Sequence, residues 1–194
     1  MSKVINIAPI TRIEGHGSIE IQLDDGGSVS STKVHYMSLR GFEKFIEGKP
    51  AEEVPRIVNR ICGICPWHHH MASNKAVDRC FGVTLPPAGW KLREFAQTMS
   101  HAGDKLLHFY FLAAADFVMG PDAPYEVRNV IGVAKANPEL ATKAVQMRYM
   151  AKMILEKLGG KAIHPHAGVA GGFCRPLLNS ERLDFLEKLK VLLE

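Results

Sequence analysis

The chain lacks a second cysteine pair. Its four cysteines are one Cys-x-x-Cys, formed by Cys62 and Cys65, and two isolated residues, Cys80 and Cys174. A closed four-cysteine metal site is therefore excluded within the chain, and so is a disulfide framework. Cysteines beside histidines fit a reducing compartment. No apolar run reaches the about 18 residues that a membrane span needs, so no membrane insertion is expected. The opening Met1-Ser2-Lys3-Val4-Ile5-Asn6 has neither the apolar stretch nor the small-residue cleavage site of a signal peptide, and a cytoplasmic location follows as the expectation. Basic residues are spread out and the net charge is only +4. Nothing points to nucleic acid as a partner.

What is present describes a globular chain. At 194 residues, 46% hydrophobic and 23% charged, it suits a single domain, 1–194, with an ordinary core. Residues 1–40 read as a small antiparallel β-sheet. Apolar Ile19, Ile21 and Leu23 alternate with polar neighbours, Asp24-Asp25-Gly26-Gly27 is a turn, and Val34 and Tyr36 alternate beyond it. The expected strands are 3–7, 18–23 and 34–38. Residues 51–194 read as a helical core, so the fold class is mainly α with a small N-terminal sheet (α+β). Pro55 fits only the first turn of a helix. Residues 71–81 form a helix stopped by Gly82, and 90–118 one long helix, apolar nearly all round near Leu106–Ala115 and so expected to be buried. Pro138 opens a helix that ends before Gly159-Gly160. After an irregular Gly-, Pro- and His-rich stretch, 161–176, Asn179 or Ser180 caps a last helix with Leu183, Leu186, Leu189 and Leu193 on one stripe.

The chemistry concentrates in Arg60-Ile61-Cys62-Gly63-Ile64-Cys65-Pro66-Trp67-His68-His69-His70. A Cys-x-x-Cys hairpin aims two thiolates at one soft or borderline metal ion. By itself it reads equally as half a zinc site, a thiol–disulfide redox pair, or part of a nickel, iron or cluster site. Consecutive helical histidines point about 100° apart, so one or two at most can turn to a metal. His70 reads as a surface or packing histidine. His101 and His108, seven apart, share a helix face and either line a channel or are satisfied interior histidines. Cys80 reads as packing on an apolar helix face, and Cys174 is given no role.

Three strings occur in order: Arg12-Ile13-Glu14-Gly15-His16, Arg40-Gly41-Phe42-Glu43, and Arg60-x-Cys62-Gly63-x-Cys65-x-x-x-His69. Together they resemble the large subunit of nickel–iron hydrogenases. Ala76-Val77-Asp78, His108-Phe109-Tyr110 and Gly159-Gly160-Lys161-Ala162-Ile163-His164-Pro165 extend the likeness over nearly the whole chain. Pro66-Trp67-His68-His69-His70 and Glu53-Val54-Pro55-Arg56-Ile57-Val58 look most like the cytoplasmic branch, whose electrons go to heterodisulfide reductase or to a deazaflavin. The resemblance implies a hydrogenase large-subunit-like helical core and an enzyme that reversibly oxidises dihydrogen. It makes Cys62 and Cys65 nickel thiolates, with Cys65 bridging to an iron that carries cyanide and carbon monoxide. It makes Glu14 the proton acceptor, Glu43 a carboxylate on a magnesium-type ion, and His69 the hydrogen-bond partner of the bridging sulfur. The implied partners are a small subunit that bears iron–sulfur clusters and, beyond it, other electron-transfer subunits.

One departure bears on all of this. The family's other two nickel thiolates come from an Asp-Pro-Cys-x-x-Cys-x-x-His string far downstream, which these residues do not contain, so half of the cysteine ligands are missing. The expectation is an N-terminal part, whether of a truncated chain, a split subunit or a degenerate paralogue, not self-sufficient by itself. Two rivals stand beside the enzyme: a catalytically inactive hydrogenase-like scaffold linking electron-transfer partners, and an unrelated zinc-stabilised domain. Nickel analysis separates them.

Overall fold

A computed structural model describes residues 3–193 and divides the chain into two compact units, Met1–Gly41 and Phe42–Glu194. The first is a three-stranded antiparallel sheet of β1 (Lys3–Ile7), β2 (Gly17–Leu23) and β3 (Val29–Tyr36), with β2 in the middle. Its register sets Ile5 opposite Ile21, Ile7 opposite Ile19 and Ile19 opposite Val34, so β-branched side chains meet across the strands on one face. The turn is tied by Asp24, whose Oδ1 accepts from the Gly26 and Ser28 amides at 2.9 Å each. Because that Asx turn closes within five residues, β3 begins at Val29 and ends at Tyr36, earlier than the 34–38 expected from apolar alternation.

The second unit is helical: α1 (Phe42–Ile46), α2 (Val54–Val58), α3 (Pro66–Phe81), α4 (Pro87–Leu107), α5 (Ala114–Val118), α6 (Val130–Ala136), α7 (Pro138–Gly159) and α8 (Asn179–Leu193), with a two-stranded hairpin of β4 (Gly168–Val169) and β5 (Gly172–Phe173) before the last helix. Prolines sit at N1 or N2 of α2, α3, α4 and α7, where a missing N–H costs nothing. α3 starts five residues earlier than expected, since Pro66 continues directly from Cys65 at the N-cap. Gly82 and Gly160 end α3 and α7 in the left-handed conformation.

The core lies between α3, α4, α7 and α8, built from Trp67, Met71, Ala96, Met99, Ile154, Leu158 and Phe185. At Gly159 the backbones come so close that a Cβ would stand 2.6 Å from Trp67 Cζ2 and 2.8 Å from Pro165 Cβ. Two expectations are corrected here. The long helix is continuous in direction but passes through a π-helical segment, His108–Ala113, and its apolar collar is not buried: Phe109 and Phe117 are exposed. The face of α4 that packs carries Arg93, Ala96, Met99, Ser100 and Gly103 instead. In α8 the inward side chains are Phe185, Leu189 and Leu192, while Leu183, Leu186 and Leu193 face outward. Phe185 sets this phase by meeting Phe95 at 6.0 Å between ring centroids.

Candidate metal centre

The cysteine hairpin is built by two helices and the turn between them. α2 passes through a 3-10 turn, Asn59–Ile61, into an extended Cys62; Cys65 then caps α3. This folds the Ile64 and Cys65 amides back onto Cys62 Sγ at 3.3 and 3.1 Å. Such donors spread the charge of a metal-bound thiolate. His69 follows Cys65 by four residues, one helical turn, and so returns to the same side. Cys62 Sγ, Cys65 Sγ and a His69 ring nitrogen all lie within 4.8 Å of one another, and the two cysteines are free, half-buried thiols. The donor chemistry fits a thiolate-bound soft or borderline metal, with three donors present among the described residues. Glu14 lies in the loop between β1 and β2 and Glu43 in the first turn of α1, both exposed.

Behind the hairpin each remaining histidine has a defined place. His70 is 1% exposed. Its Nε2 accepts from the Gly168 amide at 2.9 Å, so Nδ1 carries the proton and donates to Pro55 O at 3.0 Å. Burial, and after it the nearby charges of His166 and Arg93, hold its pKa below 6.5 against the pull of Pro55 O. The packing reading of His70 is thus the right one, and the residue pins α2 and β4 to α3. Asn59 adds a bond to Pro165 O at 2.8 Å and accepts His164 Nδ1 at its own carbonyl at 3.0 Å, with His164 held at φ 59°.

Asp78, in the Ala76-Val77-Asp78 string, anchors the same loop. Arg93 grips it through Nη1 to Oδ2 at 2.5 Å and Nη2 to Oδ1 at 3.3 Å, and also donates to Gly172 O and Val169 O; the Gly171 amide donates to Asp78 Oδ1 at 2.7 Å. Burial by itself would raise the carboxyl, but the bonds from Arg93 and Gly171 outweigh it and hold Asp78 below the usual carboxylate range.

A second polar group sits on the other side of the hairpin. His68 Nε2 meets Asp104 Oδ2 at 2.8 Å, and Asp104 Oδ1 accepts from Arg148 at 3.4 Å. Sequence reasoning missed this cluster. The spacing of Gln97, His101, Asp104 and His108 along one helix face was readable, but His68 lies 36 residues from Asp104 and Arg148 a further 44. A cavity of about 250 Å³ opens beside it, lined by Gly63, Ile64, Trp67, Ser100, Asp104 and Arg148 among others. His101 and His108 are exposed and border a surface groove with Lys105 and Phe109; neither is interior. Cys80 is also exposed, which corrects its reading as a packing residue. Beside the hairpin, Arg56, Arg60 and Lys161 make a cationic surface. Partial burial and then these three charges lower the pKa of His166.

The helical unit and the thiolate hairpin together define the class. Residues 40–146 match the nickel-dependent hydrogenase family, and residues 4–39 match a HoxL-like family. The chain belongs to the nickel-dependent hydrogenase family. It is 48% identical to its counterpart in the F420-non-reducing hydrogenase vhu of Methanococcus voltae, covering 98% of this chain and 45% of that protein. It is 36% identical to the beta chain of the NAD-reducing hydrogenase HoxS of Cupriavidus necator, covering 96% and 39%. The structure superposes on an NAD+-reducing [NiFe]-hydrogenase in the H2-reduced state with a TM-score of 0.88 at 39% identity, over 98% of this chain and 42% of that one. For the reduced Ni-Fe-Se hydrogenase of D. vulgaris Hildenborough the TM-score is 0.80 at 29% identity, over 99% of this chain and 41% of that one. The chain spans about half the length of the curated relatives it matches.

Proposed function

We propose that residues 1–194 form the N-terminal part, acting as one domain, of the large catalytic subunit of a nickel–iron hydrogenase that reversibly oxidises dihydrogen to protons and electrons. The observation that carries this reading is the convergence of two thiol sulfurs and an imidazole within 4.8 Å at the tip of α3. Cys62 and Cys65 hold nickel, and Cys65 bridges it to an iron bearing cyanide and carbon monoxide. Two further thiolates come from outside these residues. When bound, the centre supplies heterolytic cleavage of dihydrogen. The chain's own side chains do the rest. Glu14 takes the proton and passes it outward, His69 hydrogen-bonds the bridging sulfur, and Glu43 offers a hard carboxylate to a magnesium-type ion.

Electrons leave to the iron–sulfur clusters of a small subunit. The cationic surface of Arg56, Arg60 and Lys161 beside the hairpin suits an electronegative partner there. The F420-non-reducing relatives favour an acceptor other than F420, and we assign heterodisulfide reductase through further electron-transfer subunits, in the cytoplasm.

The test is elemental analysis of the purified complex together with one variant. Nickel at one ion per large subunit is expected. Zinc without nickel would favour a structural zinc domain, and an intact complex with neither would favour the inactive scaffold. Glu14→Gln keeps the shape and hydrogen bonds of the carboxylate but cannot carry its proton. It should leave nickel content intact and slow hydrogen–deuterium exchange about 100-fold or more. Unchanged exchange would remove Glu14 from the proton path.

A further inference from the structure

Three residues beyond Cys65, the His68 ring is engaged on every polar edge. Its Nε2 lies 2.8 Å from Asp104 Oδ2 and 3.4 Å from Ser100 Oγ, Gln97 Nε2 meets its Nδ1, and the His101 ring packs on it at 4.5 Å between centroids. A carboxylate only accepts, so Nε2 of His68 carries the hydrogen. Nδ1 is left as a lone pair that needs a donor. The Gln97 amide nitrogen is that donor, and it also reaches His101 Nε2 at 3.2 Å. Both hydrogens of the amide are thereby placed on imidazoles. Its oxygen is buried with no partner. An apolar side chain of the same length would avoid the penalty of that orphaned oxygen, so the position makes sense only for what the nitrogen donates.

We propose that Gln97 is a positioning residue: its amide N–H locks His68 in the Nε2–H tautomer. It thereby seats on α4 the first turn of α3, from which Cys65 and His69 project. The proposal rests on the reading of Cys62 and Cys65 as metal thiolates. Its consequence is that the surroundings of the bridging sulfur depend on a glutamine that touches neither cysteine. His68 transmits the effect through its own helix turn, whose backbone begins with the His68 amide on Cys65 O at 3.1 Å.

Two substitutions separate donation from packing, both in the full-length large subunit within its assembled complex. Gln97→Met keeps the length and removes the donor. Gln97→Glu keeps the shape but only accepts, so it demands a hydrogen on Nδ1. Nitrogen-15 spectra of histidine-labelled protein should show His68 protonated at Nε2 alone in the wild type. Gln97→Met should give mixed tautomers, and Gln97→Glu should place a hydrogen on Nδ1. The electron paramagnetic resonance of the nickel should shift in both variants, more in Gln97→Glu, with nickel content retained. A wild-type His68 bearing its hydrogen on Nδ1 would overturn the proposal without any variant. So would variants whose His68 and nickel spectra match the wild type. Absence of nickel from the wild-type complex would instead sink the metal-centre reading, and the nitrogen spectra would still decide the role of Gln97.

Discussion

At the scale of the residue, the stability of this fold is tied to a neutral imidazole and a charged pair. His70 is neutral because the Gly168 amide can only donate to it and because burial opposes an imidazolium. Its folded pKa lies below 6.5, so above that pH neither the folded nor the unfolded chain binds the proton. Below it the unfolded chain binds first, and stability falls by up to about 1.4 kcal/mol per pH unit until the folded pKa is reached. His166 shifts the same way and adds a smaller contribution, since its side chain is exposed. Urea unfolding followed from neutral pH downward should show this slope, and His70→Gln should flatten most of it. Asp78, held below 3.8, contributes stability that is intact above that pH and lost as the pH falls further. Removing one partner of its buried pair should be worse than removing both. Asp78→Ala strands the Arg93 charge and should cost about 3–5 kcal/mol, whereas Asp78→Leu with Arg93→Met should recover much of that loss in a double-mutant cycle.

Among the elements, boundaries followed local chemistry and phases followed partners. Pro55, Pro138, Gly82 and Gly160 mark helix ends through effects confined to a residue or two, and each stands where that chemistry puts it. The π-helical turn at His108–Ala113 leaves no such mark, because it changes the hydrogen-bond span rather than the composition. α8 is the sharper case. Leu183, Phe185, Leu186, Leu189, Val191, Leu192 and Leu193 offer more than one apolar stripe, and contact with Phe95 and the core selects the one through Phe185. Phe185→Ala should therefore lower stability by about 3–5 kcal/mol. Leu183→Ala and Leu186→Ala, on the outward face, should stay within about 0.5 kcal/mol. Equal shifts in the urea midpoint for all three would contradict the phase.

For the whole molecule, what matters is how much surface and how many donors these residues leave open. Leu39, Tyr125, Met37 and Phe117 are each more than three-quarters exposed. Large apolar exposure of this kind marks contact surface rather than a finished exterior. The hairpin brings three donors together, fewer than the four of a closed site. The 194 residues alone should therefore bind a hydrophobic dye, aggregate readily and retain no nickel. In the assembled complex nickel should be held, and Cys65→Ser should abolish its retention. Stoichiometric nickel on the isolated chain, with a cooperative thermal transition, would refute this.

The sequence by itself determined the elements whose causes are local, together with the family and the hairpin. The alternation of Ile19 and Ile21, the Asp24 turn, the proline starts and glycine stops, and the i, i+4 relation of Cys65 to His69 all act over a few residues, where spacing is geometry. Only the tertiary structure decided which helix faces are buried, how His70, Asn59 and Asp78 bind the backbone of 165–172, and how His68 meets Gln97 and Asp104. Those contacts join residues 29 to 106 positions apart. Their partners are chosen by the packing of α3, α4 and α7 around Trp67, where close-packed volume leaves a single arrangement and spacing along the chain carries no record of it.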